Sequence, residues 1–185
     1  MKINEPFNPD IKSVPVPKDV TFQVADETHI QGICHIVAER NPLDSIESIK
    51  KKTEREISLN LNDLEYRLFV ATIGEEVIGL CRFYHSRGLP KEKIKFASPE
   101  GWYAMGILVS QEHRRKNIAR FLFQERLKVL KKFNAQSLYS IVDANNETSI
   151  KMHQEFGFEE ISRAEGFLHL SFQNDGAILF KYWIE

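Results

Sequence analysis

Arg114, Arg115 and Lys116 stand directly before Asn117-Ile118-Ala119, where an amphipathic segment begins. From Ile118 onward, Phe121, Leu122, Val129 and Phe133 recur at helical spacing, and Phe123, Leu127 and Leu130 widen the apolar stripe. Arg120, Gln124, Lys128, Lys131 and Lys132 fall on the other side. Residues 102–109, a short apolar run between Gly101 and Ser110, read as a buried strand. The basic residues thus sit at a strand-to-helix junction. A helix N-terminus leaves amide groups without partners and carries partial positive charge. Asn117 is the non-glycine type that best tolerates positive φ, and Ala119 lets a ligand approach the backbone. Such a junction suits a phosphate or pyrophosphate. It also suits a solvated basic turn opening an ordinary helix, because basic runs are usually surface.

Residues 114–119 resemble motif A of the GNAT (Gcn5-related N-acetyltransferase) family, Q/R-x-x-G-x-G/A. Arg114 takes the first position, Asn117 the first glycine and Ala119 the last. Asparagine for glycine departs from the motif but keeps the positive-φ option. Residues 146–158, Asn-Glu-Thr-Ser-Ile-Lys-Met-His-Gln-Glu-Phe-Gly-Phe, resemble the family's N-x-x-S/A-I-x-L-Y-x-x-x-G-F segment. Met152 replaces the usual Leu and His153 the usual Tyr. The two motifs occur in the family's order, one strand apart.

The resemblance implies an α/β (α+β) GNAT fold. A central mixed, mostly antiparallel sheet of about six or seven strands is flanked by about four helices. One parallel strand pair splays for coenzyme A. Acetyl-CoA is then the co-substrate, and no metal is implied. Backbone groups of Ile107, Leu108 and Val109 would meet the pantetheine arm. Arg114, Arg115, Lys116, Asn117, Ile118 and Ala119 would hold the pyrophosphate. Asn146 would hold the cofactor arm through its amide, or act as an ordinary helix N-cap. The implied activity is transfer of an acetyl group to a primary amine by direct attack in a ternary complex.

Such attack needs a neutral amine, whereas a free alkyl ammonium has a pKa near ~10.4. It needs donors for the developing oxyanion and a proton for the departing thiolate. Leu108 or Val109 amides would serve the oxyanion. His153 stands where the family often has a tyrosine acid, and an imidazolium can donate a proton near neutral pH. It reads also as a satisfied, half-buried core histidine. Many relatives carry a Glu on the central strand, and the corresponding place here is Tyr103. No carboxylate lies between 102 and 109. Asp143 suits a water-relayed base or a turn former before Asn145-Asn146. A GNAT-shaped acyl-CoA sensor or scaffold without turnover is the reading of another class.

With 185 residues, the chain is expected to form an extended arm over 1–19 and one domain over 20–185. Pro6, Pro9, Pro15 and Pro17 exclude a helix interior or central strand from the arm. A net charge of −1 gives no overall pull toward nucleic acid or an anionic membrane. No apolar run approaches the ~20 residues of a membrane span, and no signal-peptide core is evident. Cys34 and Cys81 lack metal-ligand spacing and read as reduced thiols of a cytoplasmic protein. A monomer or homodimer is expected, with neither nucleic acid nor membrane as partner.

Residues 21–25 read as a first strand, about 29–40 as a helix ended by Asn41-Pro42, and about 45–59 as a second helix. That helix carries Ile46, Ile49, Thr53 and Ile57 on a narrow stripe. By the resemblance it borders the acceptor site, where Glu47, Glu54 and Glu56 would face a cationic amine or remain a solvated face. Residues 66–72 and 77–85 form a hairpin over Gly74-Glu75-Glu76. The long loop 86–100 is basic at Lys91, Lys93 and Lys95, and loops of that length usually have a function or move. Strand 137–143 should pair in parallel with 102–109 after a right-handed crossover. Two last strands, 158–172 and 177–184, are expected to join through Asn174-Asp175-Gly176, with Trp183 buried.

Overall fold

The computed structural model describes residues 15, 17–62, 65–173 and 175–185, without the side chains of 61 and 62. Most of the expected arm, and Asn174 of the expected final turn, lie outside these residues. In chain order the elements are β1 (Val20–Val24), α1 (Ile30–Arg40), α2 (Ile46–Asn62), β2 (Tyr66–Ile73), β3 (Glu76–His85) and β4 (Trp102–Val109). Then follow α3 (Ile118–Lys132), β5 (Ser137–Asp143), α4 (Glu147–Glu155), β6 (Glu159–Ala164), β7 (Gly166–Phe167), β8 (Leu170–Ser171) and β9 (Ala177–Trp183). Seven strands form one mixed sheet in the order β1-β2-β3-β4-β5-β9-β6, and β7-β8 forms a separate ribbon. Only β4 and β5 pair in parallel among the registers of described strands. The chain divides into two compact units.

The first unit comprises residues 14–84 and 105–133. Asp26 caps the turn that opens α1, accepting from the Thr28 amide, and Asn41 ends the helix before Pro42. The β2–β3 hairpin turns at Gly74, whose φ is +57°. Leu68 pairs with Arg82, so both side chains point to one sheet face. Helix α2 covers that face. Its Asn60 side chain donates to the Ala25 and Leu68 carbonyls and accepts from the Leu68 amide. Ile49, Thr53 and Ile57 are buried as the stripe requires, but Ile46 is 61% exposed because it begins the helix outside the packed turns. Glu56 is buried and accepts from Arg82 Nε at 2.9 Å, so it faces no acceptor. Glu54 lies 3.9 Å from Lys50 on the solvent side. Helix α3 covers the opposite face, where a Cβ on Gly79 would lie 3.0 Å from Leu122 and 3.2 Å from Ile118.

The second unit contains residues 85–104 and 134–185. Strand β5 pairs with β9, and β9 with β6. Helix α4 packs on the face that carries Ser140 and Phe180. The opposite face carries Tyr103 and Tyr139, stacked with ring centroids 5.2 Å apart. Loop 86–100 lies over it: Tyr103 Oη donates to the Pro99 carbonyl at 2.7 Å. The loop is tied at its ends by Ser86 N to Gly101 O and Gly101 N to Ser86 Oγ.

Two expectations at the C-terminus fail. The strand expected over 158–172 breaks after Ala164 into β6 and the β7–β8 ribbon. Leu168, with φ +54°, cannot continue an extended strand. Trp183 is 56% exposed because β9 turns it outward, under the Lys181 ammonium at 3.3 Å from the ring centre.

Candidate active site

In the first unit the site starts with a kink in β4. The parallel ladder holds three residue pairs and ends at Ala104 and Ser140. Two residues later Gly106 adopts φ +89°. A Cβ there would meet nothing within 4 Å, so the requirement is conformational, not spatial. Ile107, Leu108 and Val109 follow, each partly exposed.

A short turn over Gln111–His113 then leads to the basic junction. Glu39 on α1 fixes it: Oε2 accepts from the Gln111 amide at 2.8 Å and lies 4.0 Å from Arg114 Nη2. Arg114 Nε donates back to the Val109 carbonyl at 3.3 Å, drawing strand end and junction together. Sequence pattern gave no sign of Glu39, which lies 72 positions from Gln111.

Asn117 has φ +63°, as its type permits, and Arg115 has φ +60°, which its type does not suggest. Non-glycine residues in this region cost about 1–3 kcal/mol each and concentrate at ligand clamps. Asn117 is the N-cap of α3 but makes no side-chain cap hydrogen bond. The first amides of α3 have no acceptor within the helix, whose ladder begins with Phe121 N to Asn117 O at 3.0 Å. Arg114, Arg115, Lys116 and Asn117 are exposed around this mouth. Helix amides, two left-handed residues and three cations are thus grouped at one helix mouth, the donors and charge that a phosphate-bearing ligand would require.

In the second unit, Asn146 caps α4 by accepting from the Ser149 amide at 3.1 Å. Its Oδ1 is used in this way, while its side-chain amide remains a donor group. Asp143 accepts from the Asn145 amide at 2.8 Å, the geometry of a turn former. His153 is buried between Phe180, stacked at 5.3 Å, and Phe158, edge-on at 5.0 Å. Nδ1 lies 2.7 Å from the Ser149 carbonyl, which can only accept, so Nδ1 carries the proton. Nε2 lies 2.7 Å from Ser140 Oγ and in the neutral tautomer accepts from it.

This surrounding favours the core reading of His153 over its expected role as proton donor to the leaving group. Its one proton is held by a backbone carbonyl and its other nitrogen is occupied. Tyr103, expected at the base position, is 1% exposed and donates its hydroxyl to the Pro99 carbonyl. Ser140 was the partner missing from the sequence reading, and only the β5–α4 packing brings it to His153. His153→Phe should keep the ring stack and orphan the Ser140 hydroxyl. We expect about 1–3 kcal/mol lower stability in urea denaturation, with turnover per folded molecule within about twofold. A turnover loss without a stability loss would return the imidazole to the chemistry.

Cys34 and Cys81 are free and buried, and burial pushes the Cys81 thiol up to about 11, far from a nucleophile's range. Among the described residues no three His, Cys, Asp or Glu side chains are grouped to hold a metal ion. No helix among them is long and apolar enough to cross a membrane.

The profile of the Acetyltransferase (GNAT) family matches residues 30–158. An N-alpha-acetyltransferase of Saccharolobus solfataricus is 25% identical over 109 residues, covering 58% of this chain and 65% of that protein's own length. An N-acetyltransferase structure from Staphylococcus aureus superposes with TM-score 0.65 at 19% identity, covering 91% of this chain and all of that one. The PaiA N-acetyltransferase of Thermoplasma acidophilum, solved in complex with coenzyme A, gives TM-score 0.61 at 15% identity over 89% of this chain and 98% of that one. The fold is thus that of these acetyltransferases. The chain belongs to the acetyltransferase (GNAT) family.

Proposed function

We propose that this chain is an acetyl-CoA-dependent N-acetyltransferase acting on a primary amine, with residues 20–185 working as one catalytic domain. The observation that carries the reading is the strained, basic, uncapped mouth at 114–119. Arg114, Arg115 and Lys116 with the amides of Asn117, Ile118 and Ala119 take the pyrophosphate. Backbone groups of Ile107, Leu108 and Val109, released by the β4 kink, take the pantetheine arm. The Asn146 side-chain amide donates to that arm while its oxygen caps α4.

The neutral amine adds to the thioester carbonyl as the carbon–nitrogen bond forms. The oxyanion is held by the Leu108 or Val109 amide. Collapse breaks the carbon–sulfur bond, and the departing thiolate takes a proton from solvent. The surplus amine proton leaves through water, since His153 and Tyr103 are committed to the core. Positioning of the two substrates carries much of the rate. The protein acts in the cytoplasm as a monomer or homodimer in this reading.

A second reading, an acyl-CoA sensor without turnover, gains support from the same burial of His153 and Tyr103. Calorimetry with acetyl-CoA, followed by thiol release against a panel of amines, separates the two. We expect saturable binding, and about 2.7 kcal/mol of added stability when acetyl-CoA is at 100 times its Kd. Thiol release with at least one amine supports the enzyme. Binding without release for every amine supports the sensor, and absence of binding removes both.

A further inference from the structure

Arg126, on α3, is 3% exposed, and charged side chains at that depth are almost always paired. Among the described residues no carboxylate forms an ion pair with it. Its Nε is buried and has no hydrogen-bond partner, and Nη1 donates to the Arg82 carbonyl at a long 3.5 Å. The guanidinium carbon lies 5.4 Å from the centre of the Phe123 ring, whose face offers only partial negative charge. Cys81 is its titratable neighbour, and that thiol, pushed up to about 11, is neutral at pH 7. Burial holds the guanidinium below the ordinary arginine range, yet arginine stays protonated inside proteins. Arg82 makes the contrast, with Glu56 at 2.9 Å. A buried cation without its anion lowers stability, and proteins keep such breaches mainly where function uses them.

The Arg82 carbonyl locates this charge. Strands β3 and β4 are neighbours in the sheet. Ser110 N donates to the Ile78 carbonyl at 3.0 Å, and a Cβ on Gly79 would lie 3.1 Å from the Leu108 carbonyl oxygen. The two strands therefore run in opposite directions, and counting on along both brings Arg82 opposite Met105 and Gly106. Gly106 is the kink of β4, at φ +89°. Adjacent strands lie about 4.8 Å apart. The unpaired guanidinium thus sits on the α3 side of the sheet, one strand from the kink, and all these residues belong to the same compact unit.

We propose that Arg126 is a positioning residue for acyl transfer: it holds the β3 carbonyl beside the kink and supplies a buried positive charge whose counter-charge arrives only as the thioester carbonyl becomes an oxyanion. This rests on the acetyltransferase reading and adds a residue to it. The guanidinium touches neither substrate, and no proton leaves it. In an interior without water a fixed charge acts across a strand with little screening, and it stabilises the oxyanion more than the neutral thioester. The effect therefore falls on kcat and not on binding.

The test is Arg126→Met in the full chain, which fills the space without the charge. Replacing an unpaired buried charge by an apolar side chain should leave Tm unchanged or higher. For an amine that the parent acetylates, kcat should fall about tenfold, with KM for the amine and Kd for acetyl-CoA within about threefold. A Tm more than about 5 °C below the parent would mark a purely structural cation and overturns the proposal, as does a kcat within about twofold. A second readout needs no turnover: the infrared carbonyl stretch of bound acetyl-CoA labelled with carbon-13 at the thioester. Positive charge nearby polarises the carbonyl, so the stretch should lie at lower frequency in the parent than in Arg126→Met. If the parent binds acetyl-CoA but acetylates no amine, the enzyme reading fails by itself and the stretch still decides the role of Arg126. Identical stretches overturn that role, and a parent that binds no acetyl-CoA removes both readings.

Discussion

Arg114→Glu is expected to weaken acetyl-CoA binding about 100-fold, since a charge-assisted hydrogen bond to an anion contributes about 1.5–3 kcal/mol and reversal adds repulsion. The guanidinium is half exposed, so salt screens part of the effect and the measurement belongs at low ionic strength. Stability should change little. The Glu39 contact is long, at 4.0 Å, and such exposed pairs contribute about 0–1 kcal/mol. Gln111 N still donates to Glu39, so the turn before the junction keeps its anchor. Calorimetric titration and a melting curve on the same sample separate the two quantities. Affinity within threefold of the parent would take Arg114 out of the pyrophosphate site.

Glu56→Ala is expected to have the largest effect on stability, about 3–5 kcal/mol, because it leaves the Arg82 guanidinium buried without its carboxylate. Both side chains are only about one-tenth exposed, and Nε and Oε2 are 2.9 Å apart. For a chain of this size the loss corresponds to a fall of about 10 °C in Tm. The Tyr66 phenol shares this environment, raised above the ordinary tyrosine range by burial and then by the Glu56 charge. Glu56→Met/Arg82→Met should recover most of the stability, because removing both charges leaves no orphan. A single variant that loses less than about 1 kcal/mol would mean that water reaches Arg82.

The Glu56 result also shows why acceptor chemistry was hard to read from sequence. Glu47, Glu54 and Glu56 share one amphipathic helix and are equivalent as charges. Only packing against β3 commits Glu56 to Arg82, leaving Glu47 and Glu54 beside Lys50, Lys51, Lys52 and Arg55. The basic loop was legible as Lys91, Lys93 and Lys95. Its bonds to Leu168 were not, because they depend on a leucine at positive φ 70 positions from Ser98. Leucine carries no local signal for that conformation.

Local physics sufficed for much of the chain. Stripe spacing set α2 and α3, Pro42 followed the end of α1, and Asn117 allowed the left-handed turn at the helix mouth. These features involve near neighbours, so residue order alone determined them and the basic strand-to-helix junction. Burial and partners are different, because they depend on which distant segment arrives. Sequence offers His153 as either an acid or a core residue and Tyr103 as a residue at the base position; only β5 brings Ser140 to Nε2, and only loop 86–100 brings Pro99 to the Tyr103 hydroxyl. A titratable side chain takes its role from the groups around it, and those groups were assembled only by the tertiary fold.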